Sequence, residues 1–234
     1  MVEISISPEK IFSVYGLPVT NTLFLSYILV LVIAAVYSLS FIKAKMLPGK
    51  LQNFFEMTLE KLFNFFKSIT GSEERAKEIF PLAATLFILI LSSNLIELLP
   101  GIGVFHFLRS PSSDLNFTIA LSLISISYIN IMAVRKLGIF RYLQKFLNFS
   151  NPINFFVGIL EGISEATKIL SLSFRLFGNL FAGETLLIVS SFLFAYLMPL
   201  PFLGLEILVG FIQAIIFSSL VVIFYVSAIE TVHE

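Results

Sequence analysis

From Leu23 to Ile42 the chain runs for twenty residues without a charge. As a helix that stretch is about 30 Å long, enough to cross the hydrocarbon core of a bilayer. Similar runs recur at Ile79–Ile96, at Leu115–Val134 and through most of 153–230. With 57% hydrophobic and only 13% charged residues, against about 25% charged in ordinary soluble domains, no water-soluble core could hide this much apolar surface. The expected solvent is lipid. The expected fold is all-α: one polytopic membrane domain, 1–234, with about five transmembrane helices and one interfacial amphipathic helix.

Several function classes are excluded. Fifteen Lys and Arg balance fifteen Asp and Glu, so the basic excess that nucleic acid binding calls for is missing. Cysteine is absent, which removes disulfides, thiol nucleophiles, iron–sulfur clusters and Cys-ligated zinc. His106 and His233 are the two histidines, too little material for a histidine metal site or a catalytic triad. No catalytic, cofactor-binding or metal-binding residue is expected. The first residues hold Glu3, Glu9 and Lys10 before an apolar run longer than a cleaved signal uses, so 1–22 reads as an outer N-terminal segment.

Basic residues order the crossings. Lys43, Lys45 and Lys50 follow the first span, 23–42. Positive charge stays cytoplasmic, so the N-terminus lies outside. In Leu51–Thr70 the apolar residues Leu51, Phe54, Phe55, Leu59, Leu62, Phe63, Phe66 and Ile69 recur at helical period, with Glu56, Glu60, Lys61 and Lys67 on the other side. That pattern suits a helix on the cytoplasmic surface or one packed on other protein. The second span, 79–98, is entered through Pro81 and closes at Glu97 and Leu98-Leu99-Pro100-Gly101. The third, 115–134, ends before Arg135, Lys136, Arg141 and Lys145. Beyond Asn151-Pro152, the stretch 153–198 exceeds one upright span and is expected as a long tilted helix. Pro199 and Pro201 turn the chain into a second long helix, 202–230, so the C-terminus is cytoplasmic.

The last two helices carry the chemistry. Glu161, Glu165, Lys168, Arg175 and Glu184 fall in one of them, and a charge at the bilayer centre costs about 2.5–3.5 kcal/mol or more. Glu161, Lys168 and Arg175 are seven apart and share a face, with Ser164, Ser171, Asn179 and Ala182 near the same stripe. Glu184, nine residues after Arg175, points to the opposite side. A guanidinium is a permanent cation that takes no part in ordinary proton hopping. Glu184 and Glu206 are the candidate relay groups, with Asn179 and Gln213 able to order water beside them. The alternative is that these charges only satisfy one another inside a bundle.

The run Ser171-Leu172-Ser173-Phe174-Arg175-Leu176-Phe177-Gly178-Asn179-Leu180-Phe181-Ala182-Gly183-Glu184 resembles the signature helix of the ATP synthase subunit a family. Ser93-Asn94-Leu95-Ile96-Glu97-Leu98-Leu99-Pro100, Pro111-Ser112-Ser113-Asp114-Leu115-Asn116 and Gln213-Ala214-Ile215-Ile216-Phe217 resemble other pieces of it in the same order. The resemblance runs from about residue 20 to the end. It implies the proton-translocating stator subunit of a rotary F-type ATP synthase, with two offset half-channels to and from the c-subunit ring. It implies no bond chemistry of its own, no cofactor, and as partners the c-ring, b-type peripheral stalk subunits and other synthase subunits. The charged outer segment and the two-proline turn suit a bacterial plasma (inner) membrane, with an organelle membrane the alternative. Arg175 matches the arginine facing the rotor. Glu184, Asn179 and Gln213 match polar residues around the outer half-channel. Glu206 stands where bacterial members often carry histidine, which is a departure. Glu161, Ser164 and Lys168 match the polar part of the helix nearer the cytoplasm and line the exit, Ser171 is a further half-channel lining residue, and Asn94 and Glu97 contribute to the outer path. The coupling ion is a proton or, as in some members, sodium.

Rival readings are weaker. A stand-alone ion channel or secondary transporter is expected to show a repeat between halves, and none is evident. An intramembrane enzyme wants a catalytic constellation that two distant histidines do not supply. A passive anchor has no use for Arg175 and Glu184 at depth.

Overall fold

The computed structural model describes residues 10–14, 17–41, 49–98, 109–146, 152–193 and 199–230. His106 and His233, with Lys43, Lys45, Pro100 and Gly101, fall outside them. The described elements are a two-stranded antiparallel hairpin, β1 (Lys10–Val14) and β2 (Leu17–Thr20), and seven helices: α1 (Asn21–Phe41), α2 (Lys50–Thr70), α3 (Glu73–Ile96), α4 (Leu115–Leu137), α5 (Ile139–Gln144), α6 (Pro152–Leu193) and α7 (Pro199–Glu230). Five of these, α1, α3, α4, α6 and α7, are long and apolar enough to cross a membrane.

Local chemistry sets the helix ends. Thr20 Oγ1 accepts the Leu23 N–H at 3.3 Å and caps α1, filling one of the orphan donors every helix start exposes. Gly71 closes α2 in the left-handed region, φ 64°, and returns its N–H to Lys67 O. Glu73 sits at the first position of α3 and takes both Lys67 and Lys77, at 2.5 and 2.8 Å. The acidic first turn, Glu73-Glu74, suits the positive end of the helix. That start carries α3 back to Glu73, ahead of the span expected from Ile79, and leaves Pro81 inside the helix. Asp114 caps α4 by accepting the Asn116 N–H at 2.9 Å, and its second oxygen takes Thr22 Oγ1 at 2.7 Å. The helices α6 and α7 both begin on proline, whose missing N–H would be unpaired there in any case.

α3 packs chiefly on α7, and α4 chiefly on α6; both α4 and α6 also lie along α7. Phe66, Ile79, Ile90, Leu176, Phe217 and Val221 are fully buried between them. Small residues line the crossings: Ala83, Ser93, Ala133, Ala214 and Ser218 expose nothing, which lets backbones approach where apolar burial alone gives no drive in lipid. Outward-facing side chains are greasy. Tyr27, Leu31, Ile153, Phe156, Leu205 and Leu208 are all more than half exposed. This is an all-α polytopic membrane fold.

α2 lies against α3 and α7, with Leu62 and Phe66 buried and Phe63 and Phe66 both meeting the Phe80 ring. Of the two alternatives for this helix, packing on protein accounts for that part of its stripe. Phe54 and Met57 stay exposed beside Glu56 and Glu60.

The two ends of the bundle differ. At one, Glu78 of α3 takes Lys136 of α4 and the Tyr225 hydroxyl of α7, and Arg75 pairs with Glu230 at 2.6 Å. At the other, a short 3₁₀ turn, Pro111–Ser113, is tied to α3 by Ser112 Oγ on Ser93 Oγ at 2.7 Å and by Ser110 Oγ on Ser93 O at 3.1 Å. This buried hydroxyl cluster fixes the segment that begins at Arg109.

Candidate functional site

α6 and α7 run antiparallel, and three contacts hold their register. Gly183 abuts Glu206, Asn179 Nδ2 donates to Gln213 Oε1 at 2.9 Å, and the Lys168 ammonium stands 5.3 Å from the centre of the Phe224 ring. A Cβ on Gly183 would come 2.5 Å from Glu206 Oε1, so the missing side chain is what admits the carboxyl.

Arg175 lies between these contacts. Its neighbours on the buried side, Leu172 and Leu176, are in the core, and Ser173 meets Thr118 of α4 at 3.0 Å between hydroxyl oxygens. Arg175 itself is exposed and makes no ion pair among the described residues. Ser171, Gly178, Asn179 and Ala182 are exposed with it. A Cβ on Gly178 would have nothing within 4 Å. A permanent cation therefore stands on a shallow face of small residues, open to whatever packs there.

Glu184 is turned the other way, as its helical spacing from Arg175 requires. Its carboxylate is 3.5 Å from Arg109 Nη2, and Arg109 Nε donates to Ser113 Oγ at 3.2 Å. Glu206 is buried on α7 and interacts electrostatically with Glu184; Glu97, at the end of α3, lies in the field of Glu206, Glu184 and Arg109. Ser110 stands beside Glu97, but its hydroxyl hydrogen goes to Ser93 O. Asn94 Nδ2 donates to Gly210 O at 3.0 Å across the α3–α7 crossing. Both carboxylate oxygens of Glu97 and of Glu206, together with Asn94 Oδ1 and Gln213 Nε2, are buried without a hydrogen bond among the described residues. The arrangement can take up a proton, pass it among three acids, and keep water ordered on the spare amide atoms.

The remaining expected residues lie nearer the start of α6. Glu161 meets Lys145 at 2.7 Å, Lys168 meets Glu165 at 2.8 Å, and Ser164 is half-buried between them in sequence. The eleven expected residues thus fall into three places: Asn94, Glu97, Asn179, Glu184, Glu206 and Gln213 toward the 3₁₀-turn end, Arg175 with Ser171 on the open face, and Glu161, Ser164 and Lys168 toward the other end.

Arg109 and Lys145 were visible in sequence only as basic residues of loops. The signal for Arg109 was its place two residues before the Pro111-Ser112-Ser113-Asp114 motif; Lys145 had none, because its partners lie across a helix boundary.

The ATP synthase A chain family model matches residues 22–226. ATP synthase subunit a of Moorella thermoacetica is 34% identical over 217 residues, 93% of this chain and 94% of that protein. Subunit a of Geobacter sulfurreducens is 36% identical over 209 residues, covering 88% and 86%, and that of Nitratiruptor sp. 32% over 233 residues, covering 97% and 98%. With a match along nearly its whole length and the signature helix in place, the chain belongs to the ATP synthase A chain family.

Proposed function

We propose that this chain is the proton-translocating stator subunit in the membrane sector of a rotary ATP synthase, supplying two offset half-channels to a ring of c subunits and forming no covalent intermediate itself. The observation that carries the reading is the back-to-back arrangement on α6: an exposed arginine with no ion pair among the described residues on a small-residue face, and a buried acid cluster behind it.

The physical steps follow. The end bearing Arg75, Lys136 and Lys145 is the cytoplasmic one, since basic residues stay inside; the acid cluster then opens outward. A proton entering there passes Glu97, Glu184 and Glu206, and leaves past Asn179 and Gln213 to a rotor carboxylate. Neutral, that carboxylate can turn into lipid; ionised, it is held by Arg175. Because Arg175 does not release its proton, it bars direct passage between the two half-channels. After nearly a full turn the rotor site loses its proton along Ser171, Lys168, Ser164 and Glu161. Each charge crossing gains about 2.3 kcal/mol per 100 mV of membrane potential. A bacterial plasma membrane, an outer N-terminus and a cytoplasmic C-terminus fit this direction, and b-type stalk subunits would hold the chain still.

Reconstitution separates this from a channel acting alone. Liposomes holding the complete complex should synthesise ATP under an imposed proton gradient, and those holding only this chain should conduct no protons. Conduction by the isolated chain at a rate matching the complex would favour the stand-alone channel instead.

A further inference from the structure

The step out of the inner half-channel leaves one buried cation unused. The Lys145 side chain, just past α5, is only 8% exposed. Its ammonium is 2.7 Å from Glu161 Oε1 and 3.8 Å from Glu165 Oε1. Glu165 Oε1 also takes Lys168 at 2.8 Å. Glu161, Lys145, Glu165 and Lys168 therefore form one chain of alternating charge beside the N-terminal half of α6, the helix that reaches Arg175 seven residues after Lys168.

The fit is specific. Gly138, at φ 82°, turns the chain from α4 into α5. Gly158 of α6 then lets the end of α5 settle directly on it: a Cβ there would lie 2.2 Å from the Phe146 carbonyl oxygen. Such a contact with backbone excludes every residue but glycine. Tyr142 faces the same carboxylates; burial first, then Glu165 and Glu161, pushes its phenol up to about 12. The groups around the pair are thus Lys145 and Tyr142 from the α5 segment, Lys168 from α6, and the Phe224 ring of α7 under Lys168. A connector that served only to join α4 to α6 needs neither a buried ammonium nor a backbone-to-backbone seat.

We propose that Lys145 is a positioning residue of the inner half-channel, holding Glu161 and Glu165 side by side as the last proton acceptors before the cytoplasm. The inference rests on the reading of Glu161 and Lys168 as lining that passage. Lys145 supplies from another element the charge that α6 cannot supply itself, since Lys168 reaches only Glu165. Without it Glu161 has no cation to hold it against α6, and the acceptors separate.

The test uses the whole complex in inverted membrane vesicles, with ATP-driven acidification divided by the amount of this chain assembled. Lys145→Met keeps the apolar stem and removes the charge; it should slow pumping by roughly tenfold or more, as misplacing a reacting group does. Lys145→Arg should retain most of the rate, which a packing role alone would not predict for the bulkier group. Gly158→Ala, which lifts α5 from its seat, should resemble Lys145→Met. Lys145→Gln replaces Lys145→Met if the latter does not assemble. Normal pumping by the uncharged variants, or equal loss with methionine and arginine, overturns the role of Lys145. Glu161→Gln is the separate control: if it pumps normally while Arg175→Ala does not, it is the path through Glu161 that fails.

Discussion

Arg175→Ala is expected to abolish ATP-driven proton pumping in inverted vesicles while ATP hydrolysis by the soluble subunits continues. An ion pair at about 4 Å contributes about 4 kcal/mol at the intermediate dielectric of a protein surface, or roughly a thousandfold in an equilibrium. Nothing else on the face can replace it: Ser171, Phe174, Gly178 and Ala182 are its exposed neighbours, and none is charged. Stability should hardly change, because Arg175 makes no ion pair among the described residues and its removal strands no buried partner. Arg175→Lys should fail nearly as badly. An ammonium shifts its pKa readily when desolvated, so a lysine could release its proton and join the two half-channels it ought to separate. Pumping at the wild-type rate by either variant contradicts the assignment.

Gly183 should be nearly as sensitive, for a steric reason. A methyl group there meets Glu206 Oε1 at 2.5 Å and Glu206 Cδ at 3.3 Å. The obstructed atom is the tip of a flexible side chain, so the protein folds; the carboxyl gives way instead. Gly183→Ala should therefore reduce pumping by roughly tenfold or more with little change in assembly, and Gly183→Val should go further. Glu206→Asp withdraws the carboxyl by one methylene. Combined with Gly183→Ala it should pump better than Gly183→Ala alone. If the double variant is worse than either single one, the contact is not what limits transfer.

Much of this is legible in the sequence. Long uncharged runs dictate helices in lipid, and spacing alone put Arg175 and Glu184 on opposite sides of one helix. The structure turns Arg175 to the open face and Glu184 toward Arg109. What sequence could not carry was contact between distant segments. The acid cluster draws Glu97 from just past α3, Glu184 from α6 and Glu206 from α7, and period says nothing about which helices adjoin. Arg109 reaches Glu184 because serine hydroxyls fix its segment to α3. Local signals also misled. Pro81 marked a helix entry, yet the acidic turn at Glu73 and its lysine partners start α3 earlier. The strand β2 contains Pro18, a residue that argues against a strand interior, so the hairpin before α1 gave no usable pattern.

The most direct test of the central claim is contact between the Arg175 face and the rotor. The chain has no cysteine, so Gly178→Cys is a unique thiol, at a site where the added side chain meets nothing within 4 Å. Paired with a single cysteine placed near the carboxylate of the ring's small subunit, it should form a disulfide-linked product under mild oxidation, and that link should stop ATP-driven pumping until it is reduced. A cysteine on the outward face of α1, such as Leu31→Cys, should give no such product. Efficient cross-linking from Leu31→Cys with none from Gly178→Cys would place the rotor elsewhere and contradict the account.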